Sequence, residues 1–397
     1  MDGRRVGTGG GNHIVMGGPT PSESPFLLRP DILRSLLAFW QNHPSLSYMF
    51  SSMFIGPTSQ SPRIDEARMA SLYDLEIAFQ KIPMNGSVPH WLVDRLFRNI
   101  LVDLTGNTHR TEICIDKLYS PSGETGRLGL VELRGFEMTP HCQMNLLQAL
   151  LIRTCVAQFS RNPYWKNLVR WGTQLHDRFM LPHFIWEDFK NVIRELQMGG
   201  YPIRLDWFRP SFEFRFPQYG SVQIGQIHME LRMGLEPWTV LGEEMYQGSV
   251  SRSVDSSVER VQVKVEGLKE THHVVTCNGR RVPMKPTDES GVFVGGVRFK
   301  AWPPPSSQYP TVPVHAPLVF DILDTRYELS IGGCTYYVSH PGGTNPETTP
   351  INENVAESRR FSRFQPMGHY QGSMRVPPIE ENPDFPVTLD LCRDYYY

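Results

Sequence analysis

The chain has 397 residues, enough for two or three domains of ordinary size, each able to bury a core without disulfide or metal staples. Its 39 Lys and Arg nearly balance 41 Asp and Glu, so a net charge of -2 offers no field to gather nucleic acid or an anionic membrane, and charged ligands must be held locally. Six cysteines lie scattered without a C-x-x-C pair, the amino terminus lacks a signal-peptide core, and no run of about 18 apolar residues occurs, which predicts reduced thiols in a cytoplasmic protein that is neither secreted nor membrane-spanning.

Residues 1–30 read as loop, rich in Gly and Pro, with His13 at the end of GTGGGNH. Pro30 and Asp31 open a helix whose apolar positions Ile32, Leu33, Leu36, Leu37 and Trp40 recur at helical spacing. The loop FIGPTSQSPRIDEAR leads to a second helical region ending near Gln80. A third, PHWLVDRLFRNILVDL, places Trp91, Leu92, Leu96, Ile100, Leu101 and Leu104 along one side.

TEICIDKL then alternates, with Glu112, Cys114 and Asp116 on one face and Ile113 and Ile115 on the other. RLGLVELRGFEM does the same, with Val131 and Leu133 opposite Glu132 and Arg134. Two such strands predict a sheet packed on one surface and open, with charges, on the other. From His141 to about Gly200 the pattern is helical again, first through Met144, Leu147, Leu150, Leu151 and Cys155, later through Phe184, Phe189, Val192, Ile193 and Leu196.

A domain boundary is expected near Tyr201. Beyond it FEFRF, SVQI, HMELRM, RVQVKV, HHVVTC, GVFV, VRFKAW, LVFDI and CTYYVS read as strands, with a hairpin at Asn278-Gly279, and predict an antiparallel sandwich or barrel over 201–340. The Pro- and Gly-rich tail, 341–397, is expected to run extended over the surface with one short helix near Asn352 to Phe364.

Several side chains carry possible chemistry. Bare backbone at Gly9, Gly10 and Gly11 can approach a phosphate and donate N–H groups to it, while His13 can donate to phosphate or ligate a metal; the segment reads equally as a flexible terminal loop. Glu132 beside Arg134 can hold a cation and a phosphoryl group together, and Arg110, Glu112 and Asp116 offer the same chemistry, although cross-strand ion pairs are the commoner fate of such residues. Arg63 and Glu66 in SPRIDEAR serve either as loop contacts to substrate or as the charged first turn of a helix. Cys142, or else Cys114, with His141, His176 or His183 would make a nucleophilic thiol, a thiol acyltransferase if built on Cys142, against the plainer reading of an inert buried thiol. His228, Glu230 and Arg232 share a strand face with nothing to complete a site.

Taken in order, GTGGGNHIVMGGPTPSESPFLLRPD, FIGPTSQSPRIDEAR, ILVDLTGNTHRTEICIDKLYSP, RLGLVELRGFEM, WGTQLHDRFMLPHF, DSSVERVQVKV and CNGRRVP resemble a bacterial amidoligase domain of the glutamine-synthetase-like superfamily, one usually fused behind a transglutaminase-like domain. The likeness covers nearly the whole chain and is to the carboxy-terminal part of that domain. It implies an α+β fold: over 1–200, half of a glutamine-synthetase-like antiparallel sheet with packed helices, and then the all-β domain.

It further implies an ATP-dependent carboxylate-amine ligase working through an acyl phosphate on a small molecule or peptide, with Mg²⁺ or Mn²⁺. By motif, Gly9, Gly10, Gly11, His13 and Arg110 would bind ATP; His13, Glu132, Glu112 and Asp116 would hold metal; and Arg110, Arg134, Glu66 and Arg63 would be catalytic. The superfamily's other acidic strands normally precede the Gly-rich segment, and this chain starts there. It is therefore expected to be a fragment, or to need a transglutaminase-like or upstream amidoligase partner. A non-catalytic scaffold is the alternative.

Overall fold

The computed structural model describes residues 5–7, 11–68, 70–246, 249–338 and 349–393. It is an α+β protein with several antiparallel sheets. In chain order the first part comprises β1 (Arg5–Val6), β2 (Ile14–Met16), α1 (Pro25–Leu28), α2 (Pro30–Asn42), α3 (Pro44–Tyr48), α4 (Ile64–Ala67), α5 (Ser71–Phe79), α6 (His90–Phe97), β3 (Ile113–Cys114), β4 (Val131–Leu133), α7 (Cys142–Arg161), α8 (Pro182–Met198) and α9 (Arg209–Arg215). Strands β5 (Gln218–Ile224), β6 (Ile227–Met233), β7 (Thr239–Tyr246), β8 (Ser249–Asp255), β9 (Val258–Glu266), β10 (His273–Cys277), β11 (Arg280–Arg281), β12 (Lys285–Pro286), β13 (Val292–Lys300), β14 (Leu318–Asp324) and β15 (Leu329–Tyr336) follow. The chain closes with α10 (Glu353–Phe361), β16 (Phe364–Pro366) and β17 (Thr388–Asp390).

Proline sets several helix starts. Pro30 and Pro182 stand in the first turns of α2 and α8, where a missing N–H costs nothing. Every residue of α2 is buried, which makes this helix the axis of the first core. That core gathers residues from Phe26 through α9 to Phe216 and Leu235, so it runs past Tyr201. A second core runs from Val222 to Leu391 and draws on both larger sheets. One of these is the six-stranded β12-β13-β9-β6-β5 sheet, with β17 parallel to β13; the other is the five-stranded β11-β10-β14-β15-β16 sheet. Asn278 and Gly279 both have positive φ, 47° and 79°, as a tight hairpin between β10 and β11 requires.

Three expectations change. FEFRF is helical, not extended: Pro210 stands in the first turn of α9, and Phe212 and Phe216, four residues apart, pack their rings 5.2 Å apart while Phe214 is half exposed. On the third and fourth predicted helices the buried stripe agrees only in part with the one read off the sequence. Leu101, Leu151 and Cys155 are buried as expected, but Trp91, Leu104 and Leu150 face solvent, and Val93 and Phe97 on α6 and Gln148, Ile152 and Phe159 on α7 are buried in addition. The tail, outside 339–348 and 394–397 where nothing is described, does more than run over the surface. It adds β16 to one sheet and β17 to the other and buries Leu389 and Leu391.

Candidate active site

The remaining small sheet, ordered β2-β4-β3 and antiparallel throughout, pairs Leu133 with Ile14 and Ile113, and Glu132 with Val15 and Cys114. Alternation turns Val131 and Leu133 into the first core and leaves Glu132 on the opposite face. There the Glu132 carboxylate, itself 6% exposed, is surrounded by nitrogen: His13 Nδ1 at 2.8 Å, Arg134 Nη1 at 3.2 Å and Lys117 Nζ at 3.3 Å. The cations around it are more open, with Lys117 48% and His13 37% exposed. Arg134 Nε is buried with no partner.

Burial and the Arg134 charge lower the pKa of His13, against the opposing pull of Glu132. The imidazole is therefore neutral near pH 7. Because its Nδ1 faces a carboxylate, that nitrogen carries the proton, and Nε2 keeps a free lone pair.

The other predicted residues fall elsewhere. Gly9 and Gly10 lie outside the described residues; Gly11, with φ of 74°, bridges to Glu137 beside this sheet. Arg110 does not join the Glu132 cluster but pairs with Glu243 at 3.1 Å and Asp103 at 3.7 Å, fastening its loop to the β7-β8 hairpin.

Arg63 is 1% exposed and spends all five N–H groups internally, on both oxygens of Asp65, the Ser47 hydroxyl and the carbonyls of Trp40 and Gln41. It has no donor left for a substrate. Glu66 accepts from Tyr48 at 2.6 Å, from His176 at 2.8 Å and from the Arg63 N–H at 3.0 Å. Burial alone would raise its pKa, but those hydrogen bonds outweigh it and hold the carboxyl below its ordinary range. Both residues are interior supports for α4 and are corrected from the catalytic role expected of them.

The four expected metal ligands also separate. Strand β3 is only two residues long, so the alternation read over TEICIDKL breaks at both ends. Glu112 turns inward to accept from Trp40, Gln41 and Ser47, and burial pushes its pKa up to about 7 despite Arg63 nearby. Asp116 accepts from Arg98 and Thr108, both at 2.8 Å. Among the described residues, the only cluster of three potential ligands within 4.8 Å of one another is His109, Cys114 and Asp116. His13 and Glu132 remain together without the other two.

Cys142 is exposed at the start of α7, while His141 turns its Nδ1 to cap the Gln143 N–H and His176 is taken by Glu66. Among the described residues no hydrogen bond joins Cys142 to a histidine. The thiol reading thus lacks its base.

The family described as "Putative amidoligase enzyme" matches residues 1–392, across both cores and the tail. The chain belongs to that amidoligase family. No curated protein and no solved structure matches it. Its family match does not stop near residue 200, so the β-rich region is as much part of the amidoligase pattern as the helical one. Within the amidoligase chain, Lys117 is the member of the Glu132 cluster that sequence reasoning missed. Its place directly after Asp116 was visible; its reach back to Glu132 depends on the chain leaving β3 early. Among the described residues no helix is long and apolar enough to cross a membrane.

Proposed function

We propose that the chain joins a carboxylate to an amine at the expense of ATP, with the open face of β4 as the reacting surface. One observation carries this reading: a single buried carboxylate, Glu132, is ringed by Lys117, Arg134 and a neutral His13, a site with surplus positive charge and an oriented base. Lys117 and Arg134 suit polyphosphate oxygens, Arg134 by its planar fork, Lys117 as a mobile point charge. ATP, as cosubstrate, supplies the phosphoryl group that activates the carboxylate as an acyl phosphate for displacement by the amine. Such transfers depend on alignment and on neutralising charge that spreads over the equatorial oxygens. Here both tasks fall to Lys117 and Arg134.

The donor set fits a divalent cation poorly. Mg²⁺ takes about six ligands, mostly oxygen, whereas both Glu132 oxygens are already met by nitrogen groups and two of those are cations. Glu132 instead orients His13, as a carboxylate orients imidazole in hydrolytic enzymes. His13 Nε2 is then placed to take a proton from the incoming ammonium.

The test is ATP binding by titration calorimetry on the full chain, followed by amine-dependent ADP release. Lys117→Met and Arg134→Met should each weaken ATP at least about tenfold, the worth of a charge-assisted hydrogen bond. Glu132→Gln removes a negative charge beside the phosphates and should bind ATP as tightly or more so, yet turn over poorly. Weaker ATP binding by Glu132→Gln would make Glu132 a metal ligand instead; wild-type protein that ignores ATP would end the proposal.

A further inference from the structure

Beside the Glu132 cluster, on the same face of the small sheet, lies a second group of reactive side chains. Cys114 stands directly opposite Glu132 on the neighbouring strand, so the two side chains leave the sheet together. Asp116 follows just past the end of β3, and the loop 103–110 brings His109 over it, with His109 Nδ1 3.2 Å from Asp116 Oδ2. That loop is held from within: Asp103 accepts from the N–H groups of Thr105 and Asn107, and the Asn107 side chain from that of His109. Cys114 Sγ completes a trio whose donor atoms all lie within 4.8 Å of one another.

Its setting distinguishes this thiol from the others. Cys155, Cys277 and Cys334 are buried inside the two hydrophobic cores, where sulfur packs as a small apolar group. Cys114 is as deeply buried but belongs to neither core; Ile113 and Ile115 take the apolar side and leave it facing His109 and Asp116. Asp116 is oriented from behind. Arg98 Nη1 holds its Oδ1 at 2.8 Å and is itself paired with Asp94, while Oδ2 is turned to His109 and to the Thr108 hydroxyl. A carboxylate fixed in this way by an outer partner is the ordinary support of a metal ligand.

We propose that His109, Cys114 and Asp116 bind Zn²⁺, as three protein ligands with the fourth position open to solvent. Imidazole, thiolate and carboxylate are the donor types zinc takes, at bonds of about 2.0–2.3 Å that set tetrahedral neighbours about 3.3–3.8 Å apart. The trio needs to close by about 1 Å at most, and His109, with its side chain 68% exposed, has the room to do so. One thiolate and one carboxylate neutralise the ion, while Arg98 and Asp94 cancel each other. Burial pushes the Cys114 thiol up to about 12, so an entering ion must send the thiol proton to solvent. Mg²⁺, which prefers oxygen, gains too little from sulfur to do that; Zn²⁺ is thiophilic. A part in the reaction rests on the ligase reading above, in which the ion would add positive charge across the β3-β4 pair from Glu132. Binding itself requires neither ATP nor substrate.

Cobalt(II) reports on such a site, because a thiolate ligand gives it a near-ultraviolet charge-transfer band and tetrahedral geometry strengthens its visible absorption. The full chain, stripped with a chelator and free of nucleotide, should develop both on titration with Co²⁺ and saturate at a single ion per chain. Equimolar Zn²⁺ should abolish them, whereas a large excess of Mg²⁺ should not. Cys114→Ser should remove the near-ultraviolet band. His109→Ala, at an exposed position, should weaken Zn²⁺ at least about tenfold with an unchanged melting curve. Cys142→Ser, which takes away the exposed thiol, should leave the band intact. A wild type without a thiolate band, a band that survives Cys114→Ser or is lost in Cys142→Ser, or His109→Ala that binds Zn²⁺ like the wild type overturns the proposal. The titrations contain no nucleotide, so their outcome is independent of whether the wild type binds ATP.

Discussion

Glu112 sits beneath α2 and α3 at 4% exposure, accepting from Trp40 Nε1, Gln41 Nε2 and Ser47 Oγ. Burial raises its carboxyl from an ordinary value of 4.5 to about 7. A carboxyl raised on folding contributes stability that is fully present below 4.5 and lost as pH rises through about 7, a loss on the order of 3 kcal/mol. The neutral form is thus the one that burial favours. Glu112→Gln mimics that form. It should raise the denaturation midpoint at pH 8 and flatten its fall between pH 5 and 8; a variant less stable than wild type at pH 8 would show that the ionised form is the one the site prefers. His13 shifts the opposite way. Its lowered pKa means that turnover depending on its free Nε2 should persist below pH 6.5 and fail only on further acidification, which a pH-rate profile reads directly. At this scale the sequence was informative where a side chain's role follows from strand parity: Glu132 and Arg134 had to leave the apolar face carrying Val131 and Leu133. It was not informative for Arg63, Glu66 and Glu112, whose fate was decided by α2, α3 and His176 packing over them from distant stretches of chain.

Among the elements, β4 matters most, and its entry is held by a glycine. Gly129 has φ of +68°, its carbonyl accepts from the buried Ser24 hydroxyl at 2.6 Å, and an added Cβ would stand 2.8 Å from the Pro21 carbonyl oxygen. Left-handed backbone costs an L-residue roughly 1 kcal/mol or more, and contact with a backbone oxygen adds to that. Gly129→Ala should therefore lower the chemical denaturation midpoint and reduce ATP binding together, since Glu132 and its neighbours are displaced with the strand. Loss of stability with wild-type ATP affinity would mean that the site does not depend on how β4 is entered. Element types were legible wherever a long period repeated, as in α2, α8 and β9. Short runs misled. FEFRF alternates as a strand does, but a proline in its first turn and a Phe pair at four-residue spacing decide for a helix. TEICIDKL alternates over eight residues, of which only Ile113 and Cys114 are paired as strand.

Across the whole molecule, the last described segment acts as a clamp between the two cores. The Val387 N–H donates to Asp177, a fully buried residue beside the first core, while the Val387 carbonyl accepts from Gly296 of β13 in the second. Gly296 has no room for a Cβ, which would lie 2.5 Å from Thr388 Oγ1 and 2.9 Å from Leu181. Arg298 of β13 bonds Asp390 on one side and Glu236 on the other, and Glu236 also takes Arg260, whose Nη1 donates to the His176 carbonyl. Ending the chain before residue 385 would remove Leu389 and Leu391 and uncover the second core they pack on, a loss of roughly 3–6 kcal/mol together at 1.5–3 kcal/mol per buried leucine. It would also leave Asp177 buried beside a lost donor. The damage should reach the candidate site, since His176 holds Glu66, Glu66 holds the backbone of Arg63, and Arg63 reaches through Ser47 to Glu112, whose carbonyl accepts from the Arg134 N–H at 2.8 Å. A chain truncated after Asp384 should accordingly melt at lower denaturant, with tryptophan fluorescence and circular dichroism reporting separate transitions as the cores uncouple. A single coincident transition at the wild-type midpoint would place the tail outside the cooperative structure.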